Sequence, residues 1–309
     1  MKPTTLLTLL ATATAGTSAA ATRPLPLAPT RPRDAAAQHP HRLLHTLTPA
    51  APSTANFRVL AAATESTKGG AVLTLPNSKL STIHATLRVP EAKIPTAGPT
   101  ANNPVGVYAA SFWVGADAVV TGACAGGGAL RAGVDIFYDG TLGGVQRPFV
   151  WYQGPGQGSE TGFAGFEVAA GDLVRFKLEV GSEEGGEVVV VAENFGGNVT
   201  CVKDNGAVPV SSVRQVLPAS VGGKTLCRGE AAWVVEDFPL EGLPDFPVAL
   251  ANFTSVAFGA GVTLEDGSER DLAGAEVLDV RLEAQGGRLT SCEVVDGKKV
   301  KCARVVGDS

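Results

Sequence analysis

The sequence predicts an all-β chain built as a sandwich of antiparallel sheets. Three observations carry this. The apolar runs are short, of strand rather than helix length, and rich in Val. Gly (38) and Pro (20) punctuate them at close intervals, marking frequent turns. No segment repeats its apolar residues with the 3.6-residue period of a helix. The 309 residues are enough for one large domain or two small ones.

The chain is best taken from its start. Met1-Lys2, an apolar run over 6–10 and small residues through Ala21 predict a secretory signal peptide over 1–21, with an A-x-A end at Ala19 to Ala21. Export places the chain in the extracellular space and permits disulfides. It also opens the sequons Asn198-Val199-Thr200 and Asn252-Phe253-Thr254 to glycosylation. Residues 22–66 are rich in Pro, Ala and Thr and poor in β-branched apolar residues, so they cannot build a core. Over 1–66, Lys2, Arg23, Arg31, Arg33, Arg42 and Arg58 face only Asp34 and Glu65, a net +4. The remaining 67–309 then carry −9 of the total −5. His39, His41 and His45 lie in the same basic stretch. This reads as a propeptide held by charge on an acidic domain and loosened when acid protonates that domain's carboxylates. A plain disordered linker is the competing reading.

From Gly69 the pattern becomes strand, turn, strand. Strands are expected over 71–75, 81–89, 107–114, 130–138, 149–153, 173–180, 188–192, 199–203, 231–238, 256–258 and 277–283. Asp139-Gly140 closes one of them with a turn pair. A Pro-bounded loop over 90–104 and a Gly-rich loop over 154–162 interrupt the series. The spacing suits one sandwich domain over 67–309.

The five Cys split into pairs and a remainder. A bridge between Cys124 and Cys227 would tie together the entries of the strands carrying Arg131 and Glu236. Cys292 and Cys302 flank Asp296-Gly297 and read as a hairpin clasp. Cys201 is left over as a buried thiol.

Composition excludes several chemistries. Mild acidity argues against a nucleic-acid partner, and no apolar run reaches the length of a membrane span. His84 is the only imidazole beyond residue 66 and reads as structural, so Ser-His-Asp and Cys-His catalysis have weak support. No C-x-x-C and a single His argue against a metal, and no cofactor is expected. G-x-S-x-G is absent. Gly154 to Ser159 only half resembles a nucleotide loop, with no helix after it.

Carboxylate chemistry remains, and the two-residue period of a strand sorts its candidates. In Ala231 to Phe238, Ala232, Val234, Glu236 and Phe238 share one face, and Trp233, Val235 and Asp237 the other. In Ser111 to Asp117, Phe112, Val114 and Ala116 make a core face, leaving Trp113, Gly115 and Asp117 opposite. In Leu130 to Ile136, Arg131, Gly133 and Asp135 lie opposite a core face of Leu130, Ala132, Val134 and Ile136. Polar and aromatic groups separated by Gly gaps suit a long substrate lying across a sheet. An ordinary solvated face is the alternative.

These residues also carry a resemblance. Trp113-Val114-Gly115-Ala116-Asp117, Cys124, Leu130 to Asp135, Trp151-Tyr152, Leu226-Cys227, Ala231 to Phe238 and the Cys292 to Cys302 clasp are together similar to the fungal glutamic peptidases, the eqolisins. The match runs from about residue 66 to the C-terminus. It implies a secreted, acid-acting peptidase with a propeptide. It also implies a concanavalin A-like sandwich of two large antiparallel sheets, and a Glu and a Gln on the concave sheet that act on water and on the tetrahedral intermediate. Carried over, Glu236 is the catalytic Glu, and Trp113, Asp117, Asp135, Trp151 and Tyr152 bind substrate in or beside the cleft. The chain departs at Arg131, which stands at the catalytic Gln, at Lys68, where the family often has Trp, and at Val150, where it often has Glu. Arg can donate to an oxyanion, but it can also lock Glu236 in an ion pair.

Three readings follow. The first is an acid endopeptidase with Glu236 as base and Arg131 as donor, acting as a monomer on protein or peptide substrates. The second is a catalytically degenerate member that binds peptide or glycan. The third is a sandwich glycanase, which needs E-x-D-x-x-E. Glu269-Arg270-Asp271 begins that pattern, but Gly274 stands where its second Glu belongs.

Overall fold

In this computed structural model the described residues are 65–96, 98, 106–119, 127–181, 186–199, 207–240 and 243–305. The expected signal peptide, all but the last two residues of the expected propeptide, Cys124, Cys201 and most of the strand expected over 199–203 lie outside them.

The strands that build the two main sheets are β1 (Lys68–Thr74), β2 (Leu80–Arg88), β3 (Val107–Ala116), β4 (Leu130–Asp139), β5 (Phe149–Gln153), β6 (Thr161–Gly162), β7 (Leu173–Val180), β8 (Glu187–Asn194), β9 (Ser211–Pro218), β10 (Glu230–Glu236), β11 (Ser255–Leu264), β12 (Glu276–Leu278), β13 (Thr290–Val295) and β14 (Lys299–Arg304). The first sheet runs β12-β1-β10-β3-β4-β5-β6, with Gly144–Val145 added on β4. The second runs β9-β8-β7-β2-β11-β14-β13, with Glu269–Arg270 added on β11. All their ladders are antiparallel. This is the all-β sandwich of two large antiparallel sheets that the sequence predicts.

Alternation builds the second sheet. In β7, Val174, Phe176, Leu178 and Val180 are buried, while Arg175, Lys177 and Glu179 between them reach solvent. Ile83, Ala85 and Leu87 of β2 point inward in the same way. These side chains meet Phe112, Trp233 and Val235 from the first sheet in one core. Each large side chain so buried stabilises the fold by roughly 1.5–3 kcal/mol. Trp233 Nε1 crosses the core to donate to the His84 carbonyl at 2.9 Å, so its one polar atom is satisfied. The His84 ring stands on the other side of β2, over Gly261.

Among the described residues there is no α-helix; the single helical turn is the 3-10 segment Glu283–Gln285. It follows Arg281–Leu282 and breaks the strand expected over 277–283. Strand β9 is an addition to the expected series. Its run of Ser, Arg and Gln between Val residues is that of a sheet edge, where one side is wet and apolar demand is low. Cys292 and Cys302 stand directly opposite each other across β13 and β14 and are joined, as the clasp reading expects. Cys227 is disulfide-bonded, while Cys124 lies outside the described residues.

Candidate active site

The face of the first sheet turned away from the core holds the candidate site residues, and strand register places them. Three cross-strand rows cover it. Lys68, Glu236, Ser111, Asp135 and Phe149 form the first. Gly70, Val234, Trp113, Gly133, Trp151 and Gly162 form the second. Val72, Ala232, Gly115, Arg131 and Gln153 form the third. Residues paired across strands share a face, so the register brings together what the chain holds far apart.

The Gly gaps have a steric cause. A Cβ on Gly133 would fall 2.4 Å from the Phe112 carbonyl oxygen and 2.6 Å from Trp113 Cβ, so only Gly fits between the two indoles. Trp113 and Trp151 are buried with Val72, Ala232 and Val234 in a small apolar cluster on this face.

Glu236 ends β10 with its side chain 12% exposed. Trp113 Nε1 donates to its Oε2 at 2.7 Å. Lys68 Nζ lies 3.8 Å from Oε1 and Arg131 Nη1 lies 3.7 Å from Oε2. Arg131 reaches across the middle row. Its guanidinium carbon stands 5.3 Å above the Trp113 ring and 5.8 Å above the Trp151 ring. Such stacking over an indole face holds a cation where water is scarce. Gln153 Oε1 accepts from Arg131 Nε at 2.8 Å and also from Nη2. Nη2 is 4.0 Å from Glu160 Oε1. Gln153 Nε2 in turn donates to the Gln157 carbonyl at 2.8 Å, so the Gly-rich loop braces Arg131 through Gln153.

Asp135 is buried, and its Oδ1 accepts from Trp151 Nε1 at 2.8 Å, which sets the angle of that indole. The Ser111 hydroxyl is buried between Glu236 and Asp135 in the same row with no hydrogen-bond partner. Asp117 is committed to the backbone. It sits just past β3 with a φ of 52°, accepting the backbone N–H of Arg228 (2.6 Å), Gly229 (2.9 Å) and Glu230 (3.1 Å). Glu230 Oε1 accepts from Ala118 and Val119 in return. This reciprocal clamp fixes where β10 enters the sheet. Tyr152 faces the core, its ring 4.8 Å from that of Phe163. Adjacent strand residues point to opposite faces, so Trp151 and Tyr152 cannot both lie on the outer face with Glu236. Val150 is in the core for the same reason.

On the inner side of β10, Asp237 is fully buried. Gln285 Nε2 donates to its Oδ2 at 2.7 Å, and Gln285 Oε1 accepts the Leu250 N–H at 2.9 Å. Burial pushes the Asp237 carboxyl well above the usual carboxylate range, against the Gln285 hydrogen bond and the attraction of Arg304, while the Glu236 charge adds to the rise.

Other candidates lie away from the cleft. Asn198 is exposed after β8, and Asn252 is half-buried, its Oδ1 accepting the Thr254 N–H at 3.0 Å. Glu269, Arg270 and Asp271 are exposed beside the second sheet, off the cleft. Among the described residues no three His, Cys, Asp or Glu side chains gather as metal ligands would. Gln153, Glu160, Glu230 and Ser111 escaped sequence reasoning. Counting by twos from Trp151 and Trp113 reaches Gln153 and Ser111; no local signal marks Glu160.

Residues 66–304 match the sequence profile of the Peptidase A4 family. Two crystal structures of scytalidoglutamic peptidase are similar in fold. The one with a peptide-based transition-state analogue has TM-score 0.57 at 24% identity, and the one with a transition-state analogue inhibitor has TM-score 0.57 at 25%. In each, the match covers 78% of this chain and 99% of the other. SCP-B, an eqolisin in complex with the tripeptide Ala-Ile-His, gives TM-score 0.55 at 23% identity over 78% and 99%. No curated protein matches in sequence.

Proposed function

The chain belongs to the Peptidase A4 family, a family of peptidases, and from that premise we propose that it is a secreted, acid-acting glutamic endopeptidase with Glu236 as general base. The observation that carries the reading is the Glu236 carboxylate on the outer face of the first sheet, held by Trp113 Nε1 at 2.7 Å beside a permanently charged guanidinium at 3.7 Å. Water bound to Glu236 gives it a proton as the water oxygen attacks the scissile carbonyl carbon. The carbonyl oxygen takes up the displaced electron pair. Arg131 Nη1 donates to that oxyanion, in the place the family gives to a Gln amide. Glu236 then passes the proton to the leaving nitrogen, the C–N bond breaks, and a carboxylic acid and an amine result. Trp113, Asp135 and Trp151 shape the floor on which the peptide lies.

Secretion rests on the pattern of residues 1–21, and a zymogen rests on the basic 22–66 preceding an acidic domain. Acid would loosen that propeptide by protonating the carboxylates that hold it. Glycans at Asn198 and Asn252 belong to the same reading. The chain would work as a monomer, without cofactor, nucleic acid or membrane.

One observation favours a second reading. Arg131 lies across both indoles, tied to Gln153 and flanked by Glu160 and Glu236, in the space where a peptide would rest. A degenerate member that binds peptide or glycan without cutting would be built this way.

Acid digestion of denatured protein by the secreted, processed chain tests the first reading, run beside Glu236→Gln and Arg131→Gln. Cutting by the parent and silence from Glu236→Gln supports it. A silent parent with activity gained by Arg131→Gln favours the second reading. Unchanged cutting by Glu236→Gln rules the site out.

A further inference from the structure

We propose that Lys68 and Arg131, one on either side of Glu236, form a pocket for the C-terminal α-carboxylate of a peptide. This rests on the same cleft but not on its catalysing anything.

The first argument is donor accounting. Lys68 Nζ makes no hydrogen bond and lies 3.8 Å from Glu236 Oε1. Arg131 has Nε and Nη2 committed to Gln153, while Nη1 makes no hydrogen bond and lies 3.7 Å from Glu236 Oε2. Both separations exceed hydrogen-bond length. Two cations therefore converge on one carboxylate with unused N–H groups on each. An incoming carboxylate has two oxygens, enough to take one donor from each side in charge-assisted bonds.

The second argument is pre-organisation. Gln153 grips two guanidinium nitrogens and the indoles support the plane, so Arg131 is already fixed. Little side-chain freedom is lost when a ligand arrives.

The third argument is charge. The ionisable groups facing this spot are Lys68 from β1, Arg131 and Asp135 from β4, Glu236 from β10 and Glu160 from the loop after β5. Lys68 and Arg131 stand at opposite oxygens of Glu236, so a second carboxylate entering beside it can take an unused donor from each. To pair with both cations the ligand must hold a negative charge at the acid pH of the test. Among peptide groups the α-carboxyl does so furthest, with a reference value of about 3.3–3.7 against about 3.9 for Asp and 4.3 for Glu. That selects the chain end over an acidic side chain. A neutral glycan offers no anion at all.

The test is equilibrium binding at acid pH, read by Trp fluorescence, with three hexapeptides of one sequence. One has a free C-terminus, one is amidated, and one is amidated with an internal Asp. The free acid should bind about ten-fold more tightly than its amide, the size of a charge-assisted bond. Lys68→Gln and Arg131→Gln should each shrink that ratio, and the double variant should bring it close to one. Equal binding of acid and amide, no binding of either, or binding of the internal-Asp amide as tight as the free acid overturns the proposal. Hydrolysis of the same peptides is followed separately. Selective binding without hydrolysis leaves the pocket standing while removing the peptidase reading, and hydrolysis without selectivity does the reverse.

Discussion

The two sheets treat their outward faces differently. On the second, β7 alternates strictly, and Arg175, Lys177 and Glu179 point to water as ion-paired surface. On the first, β3, β4 and β10 are buried on both sides for almost their whole length. Indoles, Gly gaps and a stacked guanidinium cover what would otherwise be a wet face. The lesson is that a carboxylate's surroundings, not its residue type, decide what it does. Glu179 is a solvated partner of Lys177, Glu236 is held by an indole between two cations, and Asp237, one residue on, is buried with its proton favoured.

Substitutions that remove a carboxylate from each setting sharpen this contrast. The largest effect is expected at the cleft. Glu236→Gln should lower peptide hydrolysis by about 10²–10⁴-fold, the usual worth of a positioned base, with the circular dichroism of the fold kept. Retained hydrolysis would show that burial on this face has nothing to do with chemistry. Next comes the core. Trp233→Ala should cost about 3–5 kcal/mol in denaturant unfolding, because the cavity and the lost bond to His84 both fall between the sheets. A cost below about 1 kcal/mol would mean that the two sheets are not held as one core.

Asp237→Asn should act through pH. The folded-state value of Asp237 is raised above the unfolded one, so its protonated form is favoured on folding. The parent's stability from this group is full below about pH 4 and declines as pH climbs toward the folded value, by at most about 1.4 kcal/mol per pH unit. The Asn variant should therefore gain on the parent between about pH 4 and 7 and not below. A constant difference across that range would place the Asp237 proton elsewhere. Smallest is Glu179→Ala on the solvated face, expected to change stability by less than about 1 kcal/mol. A larger loss would erase the distinction between the sheets.

Much of this was legible in the sequence, for reasons that differ by residue. Period two alone put Glu236 opposite Trp233 and Asp237, and Arg131 with Asp135, because strand alternation is a local property. It also had the means to separate Trp151 from Tyr152. Their shared membership in a family motif obscured that they face opposite ways. Asp117 carries no local sign of its clamp, since its three donors lie more than a hundred residues downstream. Glu160 and Gln153 meet Arg131 only through the register of β4 with β5 and the path of a Gly-rich loop. No pattern within a strand encodes its register with a distant one. Edge strand β9 stayed hidden because an edge needs few apolar residues to form.

The position of β10 has a further consequence, one for synthesis and assembly. The strand that ends on Glu236 inserts between β1 and β3, whose residues lie more than a hundred positions earlier. A growing chain carries no Glu236 until three-quarters of it has been made. Even then, the middle of the first sheet closes only by long-range pairing, the slow class of folding step. Lys68, Arg131 and Glu236 therefore meet only once β10 has paired with β1 and β3, and shorter chains carry these residues apart.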